Sequence, residues 1–576
     1  MHVESSRRPH VRKDGTEVVY ERHLLRRSYR NAEGKPAKET LANLSALPAE
    51  AIAAIRSVLA GKRLVDVAEA FEITRSLPHG HVAAVHAMAR QLGLPALLGP
   101  AGRERDLALA LIVSRVVRPK PKLSTLSWWG DVTLGADLNV ADASPAEVYA
   151  AMDWLRDRRD AIEAELARRH LSEGAMAMFD LSSSWMEGTH CELAARGYSR
   201  DGKKGKTQIE YGLLTDAQAR PVAIRVFPGN TADPTAFVEA VTVVRDKFAL
   251  QRLTMVGDRG MITSARIAAI EEDPDNHLSW ITCLRAPDIA KLAADDGPLQ
   301  MTLFDQQDLA EISHPDYPGE RLVACRNPAL ADLRSHKRED LLTCTETLLD
   351  KIVARVRAGT LTGADAIGVA VGKVIDKYKM AKHFTMHITA AGFNHTRNQA
   401  RIDAEAALDG IYVIRTNVGA DTLDPADVVV AYKNLAGLER DWRNIKTDDL
   451  NLRPIHHYLT SRVEAHLLIC MLAQYLIWHL RRAWAPLTFT DEHPPTRDNP
   501  VAAAPRSHAA TTKAHTKTDT DNNPIRSFRD LLDHLGTLTR NTTAFADRHI
   551  DVLTTPTPTQ RRAFDLINAP IRLTLT

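Results

Sequence analysis

Cysteine is scarce in this chain. Its five residues, Cys191, Cys283, Cys325, Cys344 and Cys470, are scattered through 576 positions and form no C-x-x-C pair. An odd, dispersed set excludes a disulfide framework and a structural zinc cage built on thiolates, and it suits a reducing cytosol. The opening "MHVESSRRPHVRKDG" has no apolar core, so no secretory signal is expected. No run reaches the roughly 20 apolar residues of a membrane span. The most apolar stretch, Ala465–Leu480, carries His466, Gln474 and His479 and reads as a core helix. Charge of one sign is also missing: 74 Lys and Arg stand against 72 Asp and Glu, a formal net charge of +2. Attraction to nucleic acid must therefore come from local clustering. "IGVAVGKV" lacks P-loop spacing, and Ser182–Ser184 lack the context of a nucleophile elbow.

What is present is ordinary for a soluble protein of several domains, with 44% hydrophobic and 25% charged residues. Residues 1–65 read as a small, locally basic α/β segment. It holds a short hairpin near Val18–Leu25, "NAEGKP" as its turn, and a capped helix over Ser45–Gly61. Residues 66–171 show apolar spacing of three and four and read as helical, with Ser144 and Pro145 opening the last long segment. Such a bundle either reads DNA or supports the rest.

The period then changes. "AMAMFDLSSSW", "TQIEYGLLT" and "RPVAIRVFPGN" read as strands, "DPTAFVEAVTVVRDKF" as a helix and "RLTMVGD" as a buried strand. Three strands, a helix and a strand open an RNase H-like α/β fold, a mixed sheet with helices. Residues 172–286 form its first part and 410–485 its second. Residues 287–409 are less regular, contain one expected helix and one expected strand ("HFTMHITAAGF"), and read as an insertion. Pro, Thr, Ala and Asn dominate 486–524, which reads as a disordered linker. Residues 525–576 form a tail with a short helix.

Three carboxylates stand out. Asp180 lies inside an apolar strand, where an acid is costly unless it is paired or binds metal. Asp258 follows a buried strand, and ligands gather at the carboxyl ends of strands in open α/β sheets. Glu439 lies on the late helix "YKNLAGLERDWRNIK", seven residues from both Tyr432 and Lys446. On an unbroken helix those three positions fall within roughly 40° of one another, with Asp441 facing away. Three converging acids repel, and hard divalent cations such as Mg²⁺ or Mn²⁺ relieve the repulsion. Two such ions about 4 Å apart suit phosphoryl transfer. The loop "ARGYSRDGKKGKTQ" sets Arg196, Arg200, Lys203, Lys204 and Lys206 against Asp201 alone, and reads as a phosphate tracker rooted near Asp180. His456, His457 and His466 are of a type that suits zinc, but no completing ligand set accompanies them, and they read as packing beside the core. Trp185 and Trp280 also read as core residues.

These motifs together resemble bacterial insertion-sequence transposases of the DDE class. The nearest likeness is to the subgroup whose third acid lies in a Y-x2-R-x3-E-x6-K signature. Tyr432, Glu439 and Lys446 hold three of its places; "MFDLSSSWMEG", "RGYSRDGKKGKTQIEYGLLTD", "VFPGNTADPTAF" and "VGDRGMITSARI" resemble the segments around the first two acids. The likeness spans about 175–480. It implies that Asp180, Asp258 and Glu439 hold two Mg²⁺ (or Mn²⁺) ions and are catalytic, and that Tyr432 and Lys446 contact DNA. It further implies double-stranded DNA partners, the terminal inverted repeats and target DNA. A homodimer or higher oligomer in the DNA complex is expected, along with a bacterial cytoplasmic location, nucleoid-associated when bound to DNA, and no membrane. The signature arginine is replaced by Leu435, which cannot bind a phosphate; Arg440 and Arg443 are the nearby substitutes. Two other readings are a transposase-derived DNA-binding protein without catalysis and a structure-specific nuclease on the same fold.

Overall fold

The computed structural model of the chain describes residues 1–62, 64, 71–188, 190–271, 278–294, 297–519, 521–545 and 548–575. The chain divides into two compact units, Met1–Ser76 with Arg540–Thr554, and Leu77–Thr539 with Thr555–Thr576.

In the first unit β1 (His2–Val11), β2 (Glu17–Arg30) and β3 (Pro36–Asn43) form an antiparallel sheet in that order. The expected turn at "NAEGKP" joins β2 to β3. Asn31 Oδ1 accepts from the backbone N–H of Glu33 (3.1 Å) and Lys35 (2.9 Å), and Gly34 adopts φ +75°. The strands are longer than a short hairpin because most of their residues are exposed, leaving little apolar alternation to mark their ends. The helix Ala49–Leu59 has no side-chain cap. Ser45, the expected cap, instead accepts the His23 N–H at 2.9 Å. A second sheet has the order β16-β15-β4, from β4 (Phe71–Pro78), β15 (Thr539–Phe545) and β16 (Arg548–Leu553). β4 falls inside the stretch expected to be helical. Its partner lies more than 460 residues away, with Thr74 Oγ1 donating to the Thr542 carbonyl at 3.1 Å. Local spacing cannot report such a pairing.

The second unit is built on an eight-stranded mixed sheet. Its strands are β5 (Met176–Trp185), β6 (Gln208–Asp216), β7 (Pro221–Pro228), β8 (Thr254–Val256), β9 (Ser279–Cys283), β10 (Leu309–Ile312), β11 (Arg321–Arg326) and β14 (Ile411–Thr416). The order is β10-β11-β14-β9-β8-β5-β6-β7. β5, β6 and β7 run antiparallel in sequence, while β8 lies parallel to both β5 and β9. Every residue of β6 is buried, as expected for a strand covered on both faces. The helix Thr460–Ala483 packs on β7 and against the helices Arg103–Val117 and Pro145–Asp157. It is long and apolar enough to cross a membrane, but most of it is buried inside the protein. Ser144 and Glu147 form a reciprocal cap at the start of Pro145–Asp157.

Residues 287–409 differ from the expectation of a separate, irregular piece. β10 and β11 extend the main sheet beyond β14. The remainder has its own core, in which Leu349, Ile367 and Phe384 pack among the helices Pro328–Arg357 and Ala364–Tyr378 and the hairpin of β12 (Phe384–Ile388) and β13 (Phe393–Arg397). The single strand expected over "HFTMHITAAGF" is thus the first arm and turn of a hairpin.

Within residues 486–524, expected to be a disordered linker, the described residues from Asn499 to Thr516 are tied by polar contacts that composition does not reveal. Lys433 Nζ donates to the carbonyls of Pro500 (2.7 Å) and Ala502 (3.1 Å), Asn499 donates to Asp308 (2.6 Å), and Ser507 caps the helix His508–Thr516.

Candidate functional site: a cavity walled by three carboxylates

The sheet brings the two aspartates level. The last paired rung between the parallel strands β5 and β8 is Met178 with Val256. Asp180 and Asp258 each lie two residues beyond it. β5 continues while β8 ends, so Asp180 is half-buried in the strand and Asp258 is exposed in the loop. Asp258 Oδ1 accepts the backbone N–H of Arg259 at 2.7 Å.

Glu439 arrives from the helix Leu435–Arg443, which packs on β5. Leu438 and Trp442 are its buried anchors, Trp442 meeting Tyr211 edge-on at 5.1 Å between ring centroids. Asp441 faces away, as the spacing predicts. It accepts from Gln474 Nε2 at 2.8 Å, and burial pushes its carboxyl up to about 7. Glu439 is left exposed at the rim.

Asp180, Asp258 and Glu439 line one cavity of about 510 Å³. Burial pushes Asp180 up to about 6; its own strand's backbone and Arg200 oppose the shift, and the charges of Asp258 and Glu439 add to it. Among the described residues, no three His, Cys, Asp or Glu side chains are already gathered as a ligand set for a metal ion. The acids face a shared space instead of a finished cage. Their chemistry, hard oxygen donors that repel one another, is of the kind that suits Mg²⁺ or Mn²⁺.

Tyr432 and Leu435 also line the cavity. Burial and the neighbouring Cys283 thiol push the Tyr432 phenol well up, so it stays protonated. Arg440 and Arg443 are exposed and lie outside the lining; the cations in the wall are Arg259, Arg334 and Lys433. Arg334, on the helix Pro328–Arg357, could not be found from spacing because it lies about a hundred residues from Glu439. Lys433 is already engaged with backbone carbonyls.

Lys446 is placed differently from its expected role. The helical path from Tyr432 is not uniform. Asn434 separates Pro425–Lys433 from Leu435–Arg443, and Asn444–Asp448 widens into a π-turn that changes the angular phase. Lys446 is buried, with Nζ 2.9 Å from Asp201 Oδ1.

That pairing changes the basic loop. Asp201 is buried beneath it, shared by Lys446 and Arg453. Arg196, Lys203 and Lys204 are exposed. Lys203 sits 5.2 Å over the Trp185 ring, and Lys206 pairs with Glu187 at 3.2 Å. Arg200 turns inward to Asp233 (2.6 Å) and Glu210 (3.5 Å), in a second cavity that Asp258 also lines. Trp280 is fully buried in the core, as expected.

No curated protein sequence matches this one significantly. Among solved structures, the cryo-electron microscopy structure of the piggyBac transposase synaptic complex with hairpin DNA is similar over 79% of this chain and 76% of that one. The identity is 9% and the TM-score 0.34, too slight a likeness to carry an argument. Residues 8–67 match the family model described as IS1634 family transposase, N-terminal domain, and this match supports an insertion-sequence transposase.

Proposed function

We propose that the chain is a DDE transposase that binds the terminal inverted repeats of its own element, cleaves DNA there and joins the freed ends to target DNA. The observation that carries this reading is the meeting of three carboxylates, from β5, the loop after β8 and the helix Leu435–Arg443, at one cavity. The strand order β7-β6-β5-β8-β9, three antiparallel strands followed by two parallel neighbours, supports an RNase H-like core, with the part of 287–409 that follows β11 as its insertion.

In this reading Asp180, Asp258 and Glu439 hold two Mg²⁺ or Mn²⁺ ions. When bound, such ions supply charge neutralisation at the phosphoryl oxygens and activation of the attacking oxygen. The protein's own part is positioning. Asp180 is fixed by its strand and Glu439 by the Trp442 and Leu438 anchors. Arg259 and Arg334 offer guanidinium donors to phosphates entering the cavity. The exposed bases Arg196, Lys203 and Lys204 extend the same attraction outward. Double-stranded DNA is the partner, and pairing of two ends calls for a dimer or larger assembly.

The test is strand cleavage on DNA carrying the element's ends, with Mg²⁺, comparing wild type with Asp258→Ala. Metal-dependent nicking at the ends, lost in the variant while end binding persists, is expected. Undiminished cleavage by Asp258→Ala would overturn the site. End-specific binding without cleavage under Mg²⁺ or Mn²⁺ would favour a transposase-derived DNA-binding protein, and cleavage without joining a nuclease.

A further inference from the structure

The second unit holds another pocket, of about 420 Å³ and opposite character. It lies where the end of the helix Arg103–Val117 and the start of the helix Lys122–Trp129 meet the segment Asn451–His457. Arg115, Lys120, Lys122, His456, His457 and His466 line it, and Arg453 stands at its wall. Among the described residues, no Asp or Glu lines it.

Lys122 is the anomaly. It is 6% exposed, and an ammonium taken out of water without a counter-charge costs several kcal/mol. Among the described residues its hydrogen-bond partner is neutral: Nζ lies 2.9 Å from Nδ1 of His466, itself 6% exposed. Burial holds Lys122 well below the ordinary lysine range, and the nearby Arg115 pushes the same way. Arg115, also 6% exposed, spends one N–H on the Leu450 carbonyl at 3.2 Å. Burial and the surrounding cations push His457 down to about 3. Arg453 has Asp201 as its acid, but that carboxylate is shared with Lys446. A zinc site is a poor fit, because His466 Nδ1 is engaged by Lys122 and every charged neighbour is cationic.

We propose that this pocket binds a phosphate group through Lys122, Arg115 and His457. An ammonium, a guanidinium and an imidazole closing on one space offer donors from several sides, as a multivalent oxyanion requires. The group comes from either the DNA backbone or free phosphate. Its location favours DNA: the Ile455 N–H donates to the Trp185 carbonyl at 3.1 Å, so the pocket's floor runs beside the end of the strand that carries Asp180. The free-phosphate part of the proposal stands whether or not the chain cleaves DNA.

Two measurements on the full chain test it. Calorimetric titration with inorganic phosphate, at constant ionic strength, compares wild type with Lys122→Met and His457→Asp. Binding by wild type, weakened at least about tenfold in each variant, is expected, since Lys122→Met removes a donor and His457→Asp replaces a donor with a carboxylate that repels the anion. Duplex DNA affinity is then followed against salt. A slope reduced by about one in His457→Asp identifies a DNA phosphate, and an unchanged slope identifies the free anion. If Lys122→Met does not fold by circular dichroism, His457→Asp alone decides, since that side chain is half-buried at the pocket wall. No phosphate binding by wild type, or equal binding by wild type and His457→Asp, overturns the proposal.

Discussion

Arg334 is the side chain that gives the cavity a use for Leu435. An arginine at that signature position would project from the third acid's own helix; here the guanidinium reaches the same cavity from the helix Pro328–Arg357. Arg334 is exposed and, among the described residues, makes a long 3.5 Å contact to the Ile411 carbonyl, so it is available to a phosphate. Arg334→Ala is expected to lower affinity for element ends about tenfold and to reduce the salt slope by about one, measured by anisotropy titrations. Arg440→Ala, outside the cavity, should change the affinity much less. A second residue-scale expectation concerns pH. Burial pushes His81, His86, His170 and His479 down to about 4. Each folded value lies below the ordinary 6.5, so between the two the unfolded chain binds more protons. Stability is therefore full above pH 6.5 and is lost as pH falls toward 4. Thermal melts from pH 7 to pH 4 should show a steady fall in Tm, and a flat profile would remove the assignment.

At the scale of elements, two contacts lock the sheet that carries Asp180. Glu163 is fully buried on the helix Arg159–His170; it accepts from the Ile224 N–H at 2.9 Å and pairs with buried Arg225 on β7. Removing one partner strands the other charge, so Glu163→Ala should cost about 3–5 kcal/mol in urea unfolding. β6 carries a glycine for a packing reason. A Cβ at Gly212 would collide with the Phe179 ring, next to Asp180. Gly212→Ala should destabilise by about 1–3 kcal/mol and reduce cleavage more than a surface change of equal cost, because it displaces the strand bearing the first acid. How legible these elements were depended on how local their cause is. β5, β6, β7 and β8 announce themselves as short apolar runs. β4 and β15, and also β11 in its pairing with β14, are defined by partners distant in sequence.

Over the whole molecule, segments far apart in the sequence meet within one unit. β15 and β16, from Thr539–Leu553, complete a sheet with β4, from Phe71–Pro78. Deleting Arg540–Leu553 and bridging the gap with a short Gly-Ser linker should leave β4 without its partner strand. Limited proteolysis should then cut within Phe71–Ser76 faster than in wild type; equal resistance would show that the pairing is unimportant. The sequence by itself determined the alternation of strands and helices that builds the sheet, one aspartate inside an apolar strand and another just after a buried one, and the helix that carries Glu439. Those features follow from periodicity over a few residues. Only the tertiary structure decided that Lys446 pairs with Asp201, that Arg334 reaches the cavity lined by the three carboxylates, that Pro500, Ala502 and Ser507 are tied by polar contacts, and that three histidines gather around a buried lysine. Each of those outcomes depends on which distant side chains share a low-dielectric space, and charge pairing across such distances leaves no period in the sequence.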